Sequence, residues 1–567
     1  MFAMHALSSN NKRPPASPDL GEFRKRYPLT VSNFGALADR EAWLKRVWEL
    51  DARWREAMER GGGTAKEVLV SGAPPAGIRI EDSFDIIYAG GVLGLLHAAV
   101  MACRHNARVM VFDLHTVGRT HRDWNISDEE LGEFEQSGLF TKAELEAAVM
   151  NRYTRGGFVK FHDRASRVKA PPLWINNVLD TALSADKLLQ LACAKIKAHA
   201  PSGGRLLDGL RFVRAYVEPH RVTIEVEETS AGEGKGKRQF FDARLFVDAT
   251  GTNSPVARQL NDGGAITHVC PTVGTVARGF VRGKNEDAPD TVDFSVGEIL
   301  VSTTDASDHR QLIWEGFAGD PRADDYTTYL FFYDAIDSPA DKSLLALFER
   351  YFESLPSYKR PGSQWRVTKP VFGYIPSFHG RGFAKRKRTS GDRVLTVGDA
   401  AGLSSPLTFC GFGSHVRNLR RLTQLTKRAL DEDSLDENSL AQINAYEPRV
   451  AQMASLAEFM RPTAKSEPST VNETMNAVMA ALHQSDERVR RELFQDRMSF
   501  GALKELLSRT ARLYPRIFQR LREHLGARGT FWWLAGIAEA VMHERQEHTS
   551  ARQPAIHNEQ AESYEER

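Results

Sequence analysis

The sequence predicts a mixed α/β protein, and three features of its pattern predict it. A strand–turn–helix–strand pattern occupies residues 84–113, and two later strands end in small-residue turns at 248–251 and 398–402. Strand-like segments fill 265–388, and residues 430–545 have the apolar periodicity of helices. Helices that follow buried strands build a parallel sheet, whereas successive strands build an antiparallel one. We therefore expect a parallel-sheet domain, an antiparallel sheet inserted into it, and a helical C-terminal region.

The composition is that of an ordinary folded protein. The chain has 567 residues, of which 41% are hydrophobic and 26% are charged, and its net charge is +2. Such a balance gives no reason to expect a nucleic-acid partner. The four cysteines lack metal or disulfide spacing, which favours a reducing compartment. No apolar run reaches the roughly 20 residues that a membrane-spanning helix needs.

The first pattern has the order of a dinucleotide-binding fingerprint. Its strand ends at Ala89, the chain turns at Gly90 and Gly91, Gly94 lies in the following helix, and Asp113 ends the next strand. In such a fingerprint the glycines allow a tight turn, the helix amides face a pyrophosphate and the acid binds a ribose. Ala89 stands where the fingerprint has its first glycine. An ordinary βαβ turn is therefore the alternative.

The two later turns have features that suit a bound nucleotide. One strand ends at Asp248 and continues to Gly251, which favours a backbone that lies against the ligand. The other ends in Gly398 and Asp399, followed by Gly402, and its carboxylate could accept hydrogen bonds from sugar-like hydroxyls.

A Pro/Gly-rich turn with Pro406, Gly411 and Gly413 then leads into a basic helix, whose first amides are free to bind an anion. Proteins that bind only NAD need no second motif roughly 300 residues after the first. The pair therefore predicts FAD, with the ADP half at the first motif and the flavin half at the second. NAD(P)H is a candidate electron donor.

The loop after Asp113 holds further candidates. Arg119 and Arg122 could reach the adenine side or the pyrophosphate, and Trp124 and Asn125 follow them. Spacing alone leaves a solvated loop equally open.

These motifs together resemble the FAD-dependent family of p-hydroxybenzoate-hydroxylase fold, over about residues 82–415. The family includes aromatic monooxygenases, flavin-dependent halogenases, geranylgeranyl reductases and lycopene cyclases. Within it, R-D-W-N-I-S at 122–127 and S-P-L-T-F-C-G-F-G at 405–413 are similar to the corresponding segments of CruA/CruP-type lycopene cyclases. The resemblance implies an apolar carotenoid substrate, cyclised with reduced FAD and without net redox change. It also implies that Arg122, Trp124 and Asn125 belong to the site.

Cyclisation of a polyene end group needs a carboxylic acid in an apolar, aromatic pocket, where burial raises its pKa. Glu315 lies between Trp314 and Gly316-Phe317 at the end of an apolar strand and is the candidate acid. The alternative is a residue at the rim of the sheet, paired with an arginine.

Two other functions stay open: an FAD-dependent reductase or monooxygenase that acts on an isoprenoid or lipid, and a non-catalytic flavin- or carotenoid-binding paralogue. The apolar helix at 531–541 and the arginines near it predict either packing or contact with a membrane surface. We expect a cytoplasmic protein peripheral to a membrane, or a plastid protein in a eukaryote.

The predicted helix over 40–60 is expected to pack on the outside of the nucleotide domain. The predicted regions are an N-terminal arm and helix at 1–79, an FAD-binding domain at 80–264 and 389–430, a substrate domain at 265–388, a helical region at 431–545 and a disordered tail at 546–567.

Overall fold

Three β-sheets and the helices packed on them make up the computed structural model of this chain. The residues that the structure describes are 17–59, 67–199, 203–230, 236–264, 266–284, 288–378, 387–402, 407–408, 410–443 and 456–550. Their strands are β1 Leu69–Ser71, β2 Ile80–Ala89, β3 Val109–Phe112, β4 Trp124–Ile126, β5 Val149–Arg152, β6 Gly157–Lys160, β7 Leu173–Ile175, β8 Thr181–Leu183, β9 Arg205–Leu207, β10 Leu210–Val217, β11 Val222–Glu228, β12 Arg238–Asp248, β13 His268–Phe280, β14 Gly297–Val301, β15 Ile313–Ala318, β16 Tyr326–Phe331, β17 Asp334–Ala335, β18 Pro361–Ser377, β19 Ser390–Gly391 and β20 Val394–Thr396. Their α-helices are α1 Leu20–Arg26, α2 Pro28–Asn33, α3 Arg40–Glu59, α4 Leu93–His105, α5 Asp128–Gln136, α6 Lys142–Ala148, α7 Ala185–Ala198, α8 Pro255–Leu260, α9 Leu344–Ser354, α10 Gly411–Asp431, α11 Glu437–Leu440, α12 Thr470–His483, α13 Glu487–Phe494, α14 Phe500–Leu513 and α15 Ile517–Ser550.

The nine-stranded sheet brings the three motif-bearing strands together. Its order is β1-β10-β11-β12-β2-β3-β9, with β20 beside β12 and β19 beside β20. β12 pairs with β11 along its first half and, in parallel, with β20 at its last three residues. Asp248 pairs with Ala89 on β2 and with Thr396 on β20, and Ala89 pairs with Phe112 on β3. The carboxyl ends of all four strands therefore meet at one edge, as in nucleotide-binding sheets.

The interior strands of this sheet are buried on both faces, which explains their continuous apolar sequences. All four residues of β3 are buried, and the last four residues of β2 are buried as well. Helices α4, α7 and α10 contribute to the apolar core on one face. On the other face, strands β10 and β11 share a second apolar cluster with α8. Two-sided burial is typical of a parallel sheet with covered faces.

The eight-stranded sheet has the order β17-β13-β16-β15-β14-β6-β7, with β18 beside β13. β6 and β7 come from within 80–264, so this sheet draws strands from outside the range 265–388. Helix α9 packs on one face, where the Tyr351 hydroxyl bonds to the hydroxyls of Thr275 (2.7 Å) and Thr328 (2.6 Å). The opposite face is turned toward the nucleotide domain. A small sheet, β4-β8-β5, completes the strands.

The N-terminal region differs from its predicted arrangement. The sequence favours a flexible arm over residues 1–32, but α1 and α2 lie in this range, and the first 16 residues are outside the described part. Helix α3 matches the predicted helix over 40–60, yet it packs on the eight-stranded sheet and not on the outside of the nucleotide domain. Trp54 stacks on Tyr374 with a ring separation of 4.3 Å. The Asp51 carboxylate accepts hydrogen bonds from the Ser343 hydroxyl (2.7 Å) and the Leu344 amide (2.8 Å), and so it caps α9.

The C-terminal helices α12–α15 share the apolar core of the eight-stranded sheet. Helix α15 is interrupted at Gly526, where φ is 64° and ψ is 177°. Of the tail predicted at 546–567, residues 546–550 continue α15, and the others lie outside the described residues. Among the described helices, none is long and apolar enough to cross a membrane.

Candidate dinucleotide site and buried acid

The turn after β2 explains why Ala89 can replace the first glycine of the fingerprint. Ala89 is a fully buried strand residue, and its carbonyl accepts a hydrogen bond from the Ala249 amide at 2.7 Å. The position that must be glycine is Gly90, where φ is +114° and a Cβ would stand 2.2 Å from the Ala249 carbonyl oxygen. At Gly94 a Cβ would lie 2.8 Å from the Ala249 side chain, so this glycine allows α4 to pack against the second motif.

Asp113 lies at the carboxyl end of β3 and closes the loop. Its carboxylate accepts hydrogen bonds from the Gly91 amide (2.7 Å) and the His115 amide (2.8 Å). A Cβ on Gly91 would stand 2.9 Å from the Cα of Val117, so the close approach at this position is to the chain after Asp113. Helix α4 begins beside them without a side-chain cap. Its first amides are therefore free to bind an anion.

Asp248 supports its own turn. Its fully buried carboxylate accepts hydrogen bonds from the amide (3.0 Å) and hydroxyl (2.7 Å) of Thr250 and from the Ser254 hydroxyl. Burial raises the pKa of Asp248, and these hydrogen bonds oppose the rise. Gly251 follows with φ +86°. The second motif thus shapes the edge of the sheet, with the described contacts of Asp248 directed into its own loop.

The third motif is seated directly against the first helix. The Val397 amide donates to the Asp248 carbonyl at 2.9 Å. A Cβ on Gly398 would lie 3.0 Å from the side chain of Leu93, the first residue of α4. Burial raises the pKa of the next residue, Asp399, while Arg122 opposes the rise. The two motifs that are roughly 300 residues apart in sequence are therefore neighbours.

Lys387 is a site residue that the sequence patterns did not indicate, because it stands in a basic run that is typical of a surface. Its Nζ donates to the Ala400 carbonyl at 3.3 Å. A Cβ on Gly402 would lie 2.5 Å from the same Nζ. Burial lowers the pKa of Lys387 to about 7, and Asp399 and Asp248 oppose this change. The third motif therefore joins a carboxylate and an amine, both half-buried, at one place.

The loop at 122–127 reaches the site through Arg122. The Nη2 atom of Arg122 stands 3.5 Å from the Phe372 carbonyl, and a Cβ on Gly373 would come within 2.0 Å of it. Trp124 stacks on Phe412 of α10 at 4.0 Å. Asn125 is the middle residue of β4, and its side-chain oxygen accepts a hydrogen bond from the Tyr153 hydroxyl at 3.3 Å. The solvated-loop alternative is wrong for Arg122, Trp124 and Asn125, which are half-buried. It is right for Arg119, which is exposed and lies beside Asp186.

Helix α10 begins at Gly411 and has no side-chain cap, so it offers a second set of free amides at this edge. A Cβ on Gly413 would stand 2.3 Å from the Glu130 carboxylate. Glu130 forms a buried ion pair with Arg417 on the next turn of α10. Gly413 thus allows α5 to approach closely. Pro406 lies outside the described residues.

The N-terminal helix contributes a second residue that sequence reasoning missed, Arg46. Its Nη2 lies 3.5 Å from the Nδ1 of His121, and its guanidinium lies 5.4 Å from the Trp43 ring centroid. Burial and nearby arginines, Arg122 among them, lower the pKa of Arg46, while Asp113 raises it. Arg46 is therefore a half-buried cation at the sheet edge, within the electrostatic influence of Asp113 and Arg122. Helical spacing predicted α3, but no local signal could indicate which distant loop it contacts.

Glu315 lies on β15, on the face of the eight-stranded sheet that is turned toward the nucleotide domain. It pairs with Tyr329 on β16, and its side chain is 3% exposed. Its Oε1 atom has no hydrogen-bond partner within the described part of the chain. Burial raises the pKa of Glu315 well above its ordinary value. The alternative of a rim residue paired with an arginine is therefore wrong.

Aromatic side chains surround this acid. Tyr329 pairs with Glu315 across the sheet. Burial is the main cause of the raised pKa values of Tyr329 and Tyr333, and the Glu315 charge adds to both. The Tyr333 hydroxyl donates to the Leu407 carbonyl, in the turn before α10, at 2.8 Å. The acid site and the turn of the third motif are thus joined by one side chain.

The arrangement fits a dinucleotide. One sheet edge offers two uncapped helix N-termini, a carboxylate at each end (Asp113 and Asp399), and the cations Arg46, Arg122 and Lys387. Amides and cations suit a diphosphate, and carboxylates suit the hydroxyls of ribose and ribityl groups. These groups come from distant parts of the chain: the parallel strands bring Asp113 and Asp399 to one edge, and α3 adds Arg46.

No family model matches the chain, and no curated protein matches it in sequence. Solved structures do match its fold. A geranylgeranyl bacteriochlorophyll reductase-like protein from Thermoplasma acidophilum has a TM-score of 0.51 at 13% identity, over 78% of this chain and 99% of that one. The halogenase PltM, in complex with phloroglucinol and FAD, has a TM-score of 0.50 at 13% identity, over 82% of this chain and 92% of that one. The chain therefore has the mixed α/β fold of FAD-binding flavoproteins, together with a helical C-terminal region.

Proposed function

We propose that the chain is an FAD-dependent enzyme that acts on an apolar isoprenoid, and that its reaction is carotenoid end-ring cyclisation initiated by a proton from Glu315. The observation that carries the proposal is the state of this acid. Glu315 is buried without an ion-pair partner among its described neighbours, between phenol rings, on the face toward the proposed cofactor. A carboxyl in such surroundings stays uncharged at neutral pH, because the carboxylate would lack solvation.

FAD would be held by groups on both halves of the sheet edge. Asp113 would accept from the adenosine ribose, and the α4 amides and Arg46 would face the diphosphate. Asp399, Lys387 and the α10 amides would hold the flavin half. When bound in its reduced form, FAD would supply an electron-rich surface beside the substrate. The fold, which this chain shares with an FAD-bound halogenase, supports this cofactor.

The proposed reaction balances without a net redox change. The Glu315 carboxyl donates its proton to a terminal carbon–carbon double bond, which leaves a tertiary carbocation. A neighbouring double bond attacks the cation and closes the ring, which leaves the positive charge on a ring carbon. The Glu315 carboxylate then takes a proton from an adjacent carbon, which restores a double bond and the acid. The ring faces of Tyr329 and Tyr333 stabilise the positive charge while water is excluded.

Expression in lycopene-accumulating bacteria tests the proposal. We expect monocyclic or bicyclic carotenoid with the wild-type chain. Glu315→Gln should yield unchanged lycopene while the purified protein retains its flavin absorption spectrum. Tyr351→Phe is the matched control and should cyclise normally, because Tyr351 lies on α9, which packs on the opposite face of the same sheet. Cyclisation by Glu315→Gln would exclude Glu315 as the proton donor.

A redox enzyme acting on the same class of substrate is the second candidate. Lys387 favours it, since an amine beside Asp399 can stabilise negative charge on a reduced flavin. Such an enzyme would consume NAD(P)H in proportion to product, whereas cyclisation would not. Unchanged lycopene that copurifies with a flavin-loaded protein would instead support the non-catalytic paralogue.

Peripheral membrane contact and a cytoplasmic or plastid location stay predictions. They are supported by three apolar side chains on α15 that are unusually exposed, namely Phe518 (65%), Phe531 (63%) and Leu534 (54%). Cosedimentation with anionic vesicles, but not with neutral ones, is the expected result, because arginines lie near these side chains.

A further inference from the structure

A cavity of about 270 Å³ lies among the C-terminal helices. Its walls are contributed by α12, α13, α14 and α15, by Leu300 of β14 and by the turn before α10. The described lining is apolar except for three hydroxyl side chains, those of Thr408, Ser508 and Thr510, and it includes no charged residue. Its volume is near the lower limit for small-molecule sites.

One end of the cavity is bounded by the turn before α10. Leu407 and Thr408 line it and belong to the turn between Asp399 and α10. The Leu407 carbonyl accepts the hydrogen bond from Tyr333, whose ring lies near Glu315. The turn before α10 therefore lines the cavity and also bonds to Tyr333 of the second sheet.

The cavity has two unsatisfied polar atoms. The hydroxyls of Thr408 (1% exposed) and Thr510 (2% exposed) have no hydrogen-bond partner among the described residues, and both side chains line the cavity. A buried hydroxyl without a partner costs about 1–3 kcal/mol. Such atoms indicate a ligand or solvent that completes their hydrogen bonds.

The outer end reaches the protein surface. Phe518 lines the cavity and is 65% exposed, so it marks the entrance. Beyond the interruption at Gly526, α15 returns to the cavity with Trp533, which is 4% exposed. The two halves of α15 thus cover the cavity and leave an entrance beside its first turn.

We propose that this cavity binds the unreactive hydrocarbon chain of the isoprenoid substrate and directs its terminal group toward Glu315. The inference rests on the proposed function. It assigns the C-terminal helical region a task that the shared nucleotide fold does not explain. An apolar chain suits the lining, and a single hydroxyl or carbonyl on it would satisfy Thr408 or Thr510.

All-trans-retinol is a suitable probe, because it is a fluorescent isoprenoid with one hydroxyl and accepts energy from tryptophan. We expect retinol to bind saturably to the FAD-loaded full-length protein. Energy transfer from tryptophan to retinol should be smaller in Trp533→Phe than in the wild type. Ala511→Trp, which fills the cavity from α14, should weaken retinol binding at least tenfold. Lys504→Trp, an exposed position on the same helix, should bind as the wild type does. Flavin absorption and the thermal unfolding midpoint report whether each variant folds.

Where Ala511→Trp does not fold, Thr510→Val is the second variant, and it should weaken binding of retinol but not of deoxyretinol, the same polyene without the hydroxyl. The proposal is overturned when the wild type shows no saturable binding, or when folded Ala511→Trp binds retinol as tightly as the wild type. Glu315→Gln separates the two proposals. Lost cyclisation by this variant with retained retinol binding supports both proposals. Retinol binding by a wild-type protein that transforms no carotenoid refutes the proposed function alone.

Discussion

The difference in free energy of unfolding between Glu315→Gln and the wild type should shift in favour of the variant as the pH rises. Burial raises the pKa of Glu315 in the folded protein well above its ordinary value. In the unfolded chain the same carboxyl ionises near pH 4.3. Between these two pKa values the folded protein holds a proton that the unfolded chain releases. Unfolding is therefore favoured by rising pH, and the stability that this group contributes at low pH is lost.

The magnitude follows from linkage. One proton released on unfolding lowers the free energy of unfolding by about 1.4 kcal/mol for each pH unit. The full slope applies at pH values where the folded carboxyl holds its proton and the unfolded one has lost it. Glu315→Gln carries no titrating group, so its stability advantage over the wild type should grow by about 1.4 kcal/mol for each pH unit above about 4.3. This holds while the folded carboxyl stays protonated.

Urea unfolding of the two proteins over this pH range, followed by tryptophan fluorescence, measures the difference. Glu298→Gln is the matched control, because Glu298 lies on the neighbouring strand β14 and is also buried, but it is paired with Lys359 at 2.5 Å. Its loss leaves Lys359 buried without a carboxylate and should destabilise the protein by about 3–5 kcal/mol. A difference between the wild type and Glu315→Gln that does not change with pH would refute the raised pKa and, with it, the uncharged acid.

Three further predictions concern the nucleotide edge. Gly90→Ala should destabilise the protein by about 2 kcal/mol or more and abolish FAD binding, as measured by thermal unfolding and flavin fluorescence, since its Cβ would stand 2.2 Å from a carbonyl oxygen. Arg46→Ala should weaken FAD binding about tenfold by calorimetry, and ADP should compete less well while adenosine competes as before. Lys45→Ala, at an exposed position, should bind FAD as the wild type does. An equal loss for ADP and adenosine would contradict a contact between Arg46 and the diphosphate. Without FAD, the wild type should gain stability relative to Lys387→Met as the pH rises above about 7. The Lys387 amine loses its proton near this pH in the folded protein but keeps it to about pH 10 in the unfolded chain. Unfolding midpoints of the two proteins that change equally with pH would contradict the lowered pKa of Lys387.

Local pattern was sufficient where the physical cause is local. A buried strand followed by glycines requires a tight turn, and this requirement identified the turn at Gly90 and the one at Gly398. Parallel strands place their carboxyl ends at one edge, so the prediction that both turns belong to one site followed as well. The mixed α/β fold predicted from these patterns is confirmed. The role of Ala89 was not readable in advance, since only the approach of Ala249 shows which position must be glycine.

The sequence by itself determined the parallel core, the nucleotide edge and the candidate acid, because strand periodicity and turn chemistry depend on neighbours in the chain. Only the tertiary structure decided that α3 brings Arg46 to this edge, that Lys387 lies half-buried beside Asp399, and that Glu315 has no counter-ion among the described residues. Burial and partnership depend on segments hundreds of residues away, and no local pattern records them. The same reason applies to the C-terminal cavity, whose walls meet only after the helices have packed on the second sheet.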